Sequence, residues 1–287
     1  MKTLRIVLFF LALYGGGVFA ADALKYNVSI CAVFHNEAKF LKEWIEYHRL
    51  IGVDHFYLYD NRSSDRYSQI LTQYVKKGIV TLIEWPGTLE KQEEKEFLWV
   101  LGTQIPAYEN AAKIQAAKET RWLVFLNVDE FLLPKKENLD EFLKKYQDYP
   151  GIVLQQEYFD SSSAQPSKSL VIETVEMVSR PSINIQKVVE KTIFRPSLCT
   201  SFTWPPYKCL FKEDQTPIKI SKKEMCINHY INRNNIEALF GKRKERLSID
   251  SYFLTEKECL HFLEEGFEIE DQECSIHRFI PELLRAL

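Results

Sequence analysis

An α/β fold with a mainly parallel central sheet and helices on both faces is predicted by three features of the sequence. Short apolar runs rich in β-branched and aromatic residues alternate with stretches whose apolar residues recur at helical spacing. The runs are apolar throughout rather than at every second residue, as expected of strands covered on both sides. Polar clusters stand directly after three of the runs, and open sheets of this kind bind ligands beyond the carboxyl ends of their strands.

The elements follow in order. Val28 to Phe34 is an unbroken apolar run of strand length, followed by a helix from Glu37 to Leu50 with Phe40, Leu41, Trp44, Ile45 and His48 in phase. His55 to Tyr59 is a second strand, closed by Asp60-Asn61-Arg62-Ser63-Ser64-Asp65, whose Asp, Asn and Ser supply turn and cap chemistry. A helix to about Lys77 leads to a third strand, Val80 to Trp85. Past the charged run Glu90 to Glu96, a long helix is expected from Ile105 to Thr120, then a fourth buried strand, Trp122 to Leu126. That strand ends at Asn127-Val128-Asp129-Glu130. Ile152 to Gln156 reads as another strand. Beyond Glu157 the pattern loosens into a Ser-rich loop from Asp160 to Ser169, short strand candidates, and the aromatic stretch Phe202 to Tyr207. A helix from about Asn234 to Leu247 and two short amphipathic helices complete the reading, with residues 24–287 as one domain.

The first twenty residues stand apart. Lys2 and Arg5 precede an apolar run from Ile6 to Leu13, and small residues then lead to Ala20. This order is that of a secretory signal cut after Ala20, which predicts an exported protein, secreted or held in a secretory lumen. An uncleaved membrane anchor is the alternative reading, and the protein would meet a membrane only in that case. The net charge of −3 and pI near 6.1 provide no basic field for nucleic acid. Six cysteines lie beyond residue 30 with no C-x-x-C pair, so a zinc site of that kind is not indicated. An even count in an exported chain permits disulfides among the five after position 198, with the connectivity open, while Cys31 reads as a buried thiol.

The chemistry-bearing residues are few. Asp129 follows a buried strand, whose rigid backbone could hold a carboxylate as a metal ligand, and Mg²⁺ or Mn²⁺ takes one or two carboxylates plus phosphate oxygens. The same residue also reads as a turn or helix cap. His229, in Cys226-Ile227-Asn228-His229-Tyr230, reads either as a structural histidine or as a second ligand suited to Mn²⁺. Lys242 and Arg243, in a basic run with Lys244 and Arg246, read as a solvated helix face or as partners for a diphosphate.

The stretch from Phe34 to Asp65 (FHNEAKFLKEWIEYHRLIGVDHFYLYDNRSSD) resembles the opening of glycosyltransferase family 92, and Trp122 to Pro134 (WLVFLNVDEFLLP) resembles a later block. Shorter similarities follow at Tyr158–Ser162, Leu170–Glu173 and Ile227–Tyr230, in the same order across nearly all of the chain after the leader. The resemblance implies a GT-A nucleotide-sugar-binding fold, with residues 24–134 as the nucleotide-binding half and 135–287 as the acceptor-side half. It further implies a UDP-sugar donor (galactose favoured), a glycan acceptor, a Mn²⁺ or Mg²⁺ cofactor and inversion at the transferred sugar. Asn36 and Glu37 would lie beside the nucleoside, Asp60 would hydrogen-bond uracil or ribose, Asp129 would be the metal-binding Asp of a D-x-D motif, and His229 a ligand from across the cleft. Two positions depart from the family pattern. Asn127 stands where Asp is usual, giving N-x-D and a neutral contact to the donor, and Phe159-Asp160-Ser161-Ser162 replaces Phe-Gly-Ser-Ser.

The reaction expected is metal-assisted hexosyl transfer, with Asp160 or Glu157 as the base for the acceptor hydroxyl, since both follow the Ile152–Gln156 strand. The aromatic segment Phe202 to Tyr207 would stack on acceptor sugars or pack beneath a loop. The rival reading, which Asn127 favours, is a non-catalytic glycan- or protein-binding module on a degenerate GT-A fold.

Overall fold

The computed structural model describes residues 24–87, 100–160, 170–173, 190–203, 208–231 and 275–287. The leader at 1–20, the charged run at 90–96, the aromatic core of the 202–207 stretch at 204–207, the 234–247 helix with Lys242 and Arg243, and Cys259 and Cys274 lie outside the described residues. No helix among the described residues is long and apolar enough to cross a membrane.

The first half of the chain alternates as its pattern predicts. β1 (Tyr26–Phe34), α1 (Ala38–Leu50), β2 (His55–Asp60), α2 (Tyr67–Lys76) and β3 (Val80–Glu84) follow one another, and β1, β2, β3 and β4 (Thr120–Phe125) form a parallel array. Successive residues of β1 face opposite sides. Val28, Ile30, Ala32 and Phe34 enter one core with Trp44 and Ile45 of α1, whereas Cys31 and Val33 enter a second with Ala107 and Tyr108. A strand buried on both faces has no place for the polar half of an alternating pattern, which is why Val28–Phe34 is apolar but for Ser29, whose hydroxyl is bonded to Thr120 of β4 (2.9 Å).

The helix expected at 105–120 is interrupted. Only α3 (Ile105–Asn110), with Pro106 in its first turn, is α-helical, and wider π-type turns flank it at 100–104 and 111–115. The bond from the Ala116 N–H to the Ala111 carbonyl skips a residue relative to an α-helix.

After β4 the chain reverses at once into β5 (Glu130–Pro134), a strand that the sequence pattern merged into a polar cluster. Then come α4 (Leu139–Lys144), β6 (Gly151–Asp160), β7 (Glu190–Phe194), the hairpin β8 (Cys199–Thr203) and β9 (Lys208–Phe211), β10 (Ile218–Lys219), β11 (Met225–Ile231) and α5 (Ile280–Ala286). The main sheet runs β3-β2-β1-β4-β7-β6-β11-β5, with β10 beside β6. It is mixed in this second half: β7 opposes both β4 and β6, β11 runs with β6, and β5 opposes β11.

This order forces curvature. β4 and β5 are four places apart, about 19 Å in a flat sheet at roughly 4.8 Å per strand. The link from Phe125 to Glu130 reaches at most about 18 Å fully extended, and part of it is folded into a turn by the bond from the Glu130 N–H to the Asn127 carbonyl (3.1 Å). The sheet therefore curls, carrying β11 and β5 over the end of β4.

α1 covers the outer edge of β5. The Trp44 indole N–H donates to the Glu130 carbonyl (2.8 Å) and the Tyr47 hydroxyl to the Leu132 carbonyl (2.7 Å). His48 Nε2 accepts from the Leu132 N–H, so its Nδ1 carries the proton and donates to the Trp44 carbonyl. Edge groups that would otherwise template aggregation are thus satisfied. Burial holds His48 neutral, pushing its pKa down to about 3 against the lesser pull of the Trp44 carbonyl. The unfolded chain binds this proton near pH 6.5 and the folded one does not, so His48 costs stability as pH falls from about 6.5 towards 3. At pH 5 its share should be about 2 kcal/mol. Urea unfolding at pH 7 and pH 5 should show this loss reduced in His48→Gln; an unchanged pH slope would refute it.

Candidate functional site

The parallel and antiparallel pairings together place the carboxyl ends of β1, β2, β4, β6 and β11 on one edge of the sheet. Asn36, Asp60, Asp129, Asp160 and His229, scattered over nearly 200 positions in sequence, therefore all belong to that edge.

At one end of it, two loops interlock. Asn36 follows β1 in the left-handed conformation (φ 55°), which Asn tolerates better than most residues. Its side-chain oxygen accepts from the Ser64 and Asp65 N–H groups (2.8 and 3.2 Å), and its own N–H donates to Ser63 Oγ (2.9 Å). Asp65 Oδ2 accepts from the Ala38 N–H (2.7 Å), capping the start of α1 from the neighbouring loop. His35 Nδ1 donates to the Asn61 carbonyl (2.7 Å). Asp60 is buried, and its Oδ1 accepts from the Ser63 N–H (3.0 Å). Glu37 is half-buried, and its carbonyl starts α1 by accepting from the Phe40 and Leu41 N–H groups. Asn36 and Asp60, expected beside the nucleoside, thus join the two loops into a platform at this end of the edge.

At the other end, Asp129 and His229 meet. Tyr230 of β11 donates its N–H to the Asp129 carbonyl (2.9 Å), fastening the turn to the strand. His229 Nε2 lies 3.7 Å from Asp129 Oδ1, with the imidazole 1% exposed and the carboxylate 23% exposed. Donor atoms at right angles on one divalent ion with bonds of about 2.1 Å stand roughly 3 Å apart, so a small closing movement would suit this pair to one ion. Among the described residues no group of three or more His, Cys, Asp or Glu side chains forms a metal cage. A carboxylate beside an imidazole suits a divalent ion such as Mn²⁺.

Beneath Asp129 lies a buried cluster that the sequence reading missed. Glu130 is wholly buried and pairs with Lys191 of β7, itself 1% exposed. Its Oε2 also accepts from the Asn127 N–H (2.6 Å), closing the Asn127–Glu130 turn, and its Oε1 accepts from Gln156 of β6 (2.6 Å). Glu130 therefore stitches the turn to both β6 and β7. Its place next to Asp129 was a signal, but Lys191 lies in Glu-Lys-Thr-Ile-Phe with no pattern to single it out.

Glu157 does not join this site. It stands opposite Asn228, whereas His229 stands opposite Tyr158, so strand alternation puts Glu157 and His229 on opposite faces. Burial pushes the Glu157 carboxyl up, but Lys135 (3.4 Å), the Cys226 thiol and Lys222 (3.3 Å) together outweigh it and hold its pKa below the ordinary value. A carboxylate so engaged is a poor proton acceptor, which corrects its nomination as the base. Asp160 is the last residue of β6, in register with Ile231 at the carboxyl edge. Asn127 is half-buried within the turn.

With this geometry in place, comparison with known proteins is informative. A glycosyltransferase family 92 protein of Oryza sativa subsp. japonica is 26% identical over 212 residues, 71% of this chain and 33% of that protein. Another of Ricinus communis is 32% identical over 118 residues, 40% and 18% of the two chains, and one of Arabidopsis thaliana is 30% identical over 135 residues, 44% and 21%. The chain thus aligns with a third or less of the length of these relatives. Among solved structures, S. aureus TarS 1–349 aligns over 83% of this chain and 69% of its own at 17% identity and a TM-score of 0.41. Its complex with UDP-GlcNAc aligns over 91% and 72% at 13% identity and a TM-score of 0.42. The sequence profile of glycosyltransferase family 92 matches residues 25–259. With most of its length inside that match, this chain belongs to glycosyltransferase family 92.

Proposed function

We propose that this protein is an inverting glycosyltransferase that moves a hexose, galactose by preference, from a UDP-sugar to a glycan acceptor with the help of Mn²⁺ or Mg²⁺. The observation that carries the reading is the meeting of Asp129 and His229 at the same sheet edge as the Asn36–Asp60 platform. Family membership supports it. In this reading the nucleoside rests on the platform, with Glu37 beside it and Asp60 directed to the base or ribose. Asn127 contacts the donor without adding charge, and Lys242 and Arg243 meet the diphosphate. Asp129 and His229 would hold the ion, which when bound supplies neutralisation of the departing diphosphate.

Asp160 takes the proton of the acceptor hydroxyl as that oxygen attacks the anomeric carbon from the face opposite UDP. General-base catalysis contributes about 10²–10⁴-fold, so Asp160→Asn should lower kcat by that range while UDP affinity stays within twofold. Single-turnover transfer and calorimetry with UDP would check the two halves separately. A variant with unimpaired kcat would remove Asp160 from the reaction.

Asn127 favours a second reading, a binding module that retains the fold without transfer, because a neutral residue replaces the usual carboxylate beside the ion. A screen of UDP-galactose, UDP-glucose and UDP-GlcNAc against glycan acceptors, with Mn²⁺ and with chelator, separates the two. Mass-shifted glycan formed only with metal supports transfer. Glycan or UDP binding with no product under any condition supports the second reading. The leader-like residues 1–20 make export the expected route, and mass spectrometry of the mature N-terminus would test it.

A further inference from the structure

The hairpin of β8 and β9 carries two of the cysteines whose pairing the sequence left open. Cys199 is paired in register with Phe211, two residues along β9 from Cys209, so Cys199 and Cys209 face the same side. Both pack against the aromatic cluster that includes Phe125, Phe194, Phe202 and Phe211. In a regular antiparallel pair such diagonal neighbours stand about 7–8 Å apart, beyond the span of a disulfide. Here a bulge between Cys199 and Ser201 adds a residue to β8 and bends it, breaking that regular spacing on the side where both thiols lie. The other described cysteines are differently engaged. Cys31 is buried within β1, and the Cys226 thiol donates towards Glu157 and Asn228.

We propose that Cys199 and Cys209 are a redox pair that closes to an intrachain disulfide when the folded protein meets a small-molecule disulfide such as oxidised glutathione. Cys199 is half-buried and Cys209 fully buried, so the reaction has a direction. The Cys199 thiolate attacks one glutathione sulfur and forms a mixed disulfide, and the other glutathione leaves as thiolate. Cys209 then gives up its proton and attacks the Cys199 sulfur, expelling the second glutathione. Two protein thiols are oxidised and one glutathione disulfide is reduced, so electrons and atoms balance. The thiol environments agree with this order. The Cys209 thiol bonded to it, with Lys113 nearby, lowers the pKa of Cys199 against burial, whereas burial keeps that of Cys209 well above the ordinary value. The bond would tie together the two strands that flank the Trp204–Tyr207 segment and hold Phe202 on Phe125, two residues before Asn127.

The test uses the full chain, reduced with dithiothreitol, desalted, and incubated folded with oxidised glutathione. After denaturing alkylation, tryptic peptides are mapped; Lys208 separates the two cysteines into different peptides. The expected result is a Cys199 peptide joined to the Cys209 peptide and released by dithiothreitol. In Cys209→Ala the reaction should stop with glutathione on Cys199, and in Cys199→Ala Cys209 should be alkylated as a free thiol. Both cysteines alkylated in the treated wild type, or Cys199 joined to any other cysteine, would overturn the proposal. So would a Cys209→Ala protein that takes up no glutathione at Cys199.

Discussion

Alanine at Asp129 or at His229 should each abolish nearly all glycosyl transfer, and the double variant should be scarcely worse than either single one. The two side chains come from positions 100 apart and meet with 3.7 Å between Nε2 and Oδ1. If they hold one divalent ion, losing either ligand removes the same several kcal/mol of charge stabilisation, a fall of about 10³-fold in kcat/KM. Residues acting as a unit are non-additive in this way. Independent roles would instead multiply the two losses. Asp129→Ala, His229→Ala, the double variant and Asn127→Asp should be compared by Mn²⁺ titration of UDP binding alongside turnover. Asn127→Asp should keep or raise metal affinity, because it adds a carboxylate two residues from Asp129. UDP binding that ignores metal in all four proteins would dismiss the metal site and bring the non-catalytic reading forward.

The legibility of this site in the sequence follows from what is local. β1, β2, β3 and β4 could be read because each is a solid apolar run, and Asn36, Asp60 and Asp129 because each follows such a run within a few residues. β5 was not legible: Glu130-Phe131-Leu132-Leu133-Pro134 begins with a charged residue directly after a turn, and only its pairing with β11 makes it a strand. The placement of Glu157 failed for a related reason. Sequence puts it one residue beyond a predicted strand end, but β6 continues to Asp160, and alternation along that longer strand turns the side chain to the other face. The partnership of Glu130 with Lys191 depends on a curled sheet and on a strand 61 positions away, and neither leaves a periodic trace.

Lys191→Met should therefore be among the most damaging substitutions in the protein, although Lys191 touches no proposed substrate. Its ammonium group is the buried cation facing Glu130, and both side chains are essentially without solvent. Removing one partner of such a pair leaves an uncompensated buried charge and costs about 3–5 kcal/mol. Replacing both partners by neutral groups of similar shape is often nearly neutral, so Glu130→Gln in the Lys191→Met background should restore most of the loss. Glutamine keeps an oxygen that can accept the Asn127 N–H, the bond that closes the Asn127–Glu130 turn. A hydrophobic residue at 130 would not keep it, so Glu130→Leu in the same background should recover stability less completely and lose UDP affinity, because Asp129 is carried by that turn. Guanidinium unfolding of the three variants and the wild type measures the first effect, and calorimetry with UDP and Mn²⁺ the second. A Lys191→Met protein as stable as wild type would show that the pair carries little weight. Equal UDP affinity in the Gln and Leu double variants would show that the turn does not depend on Glu130 for its shape.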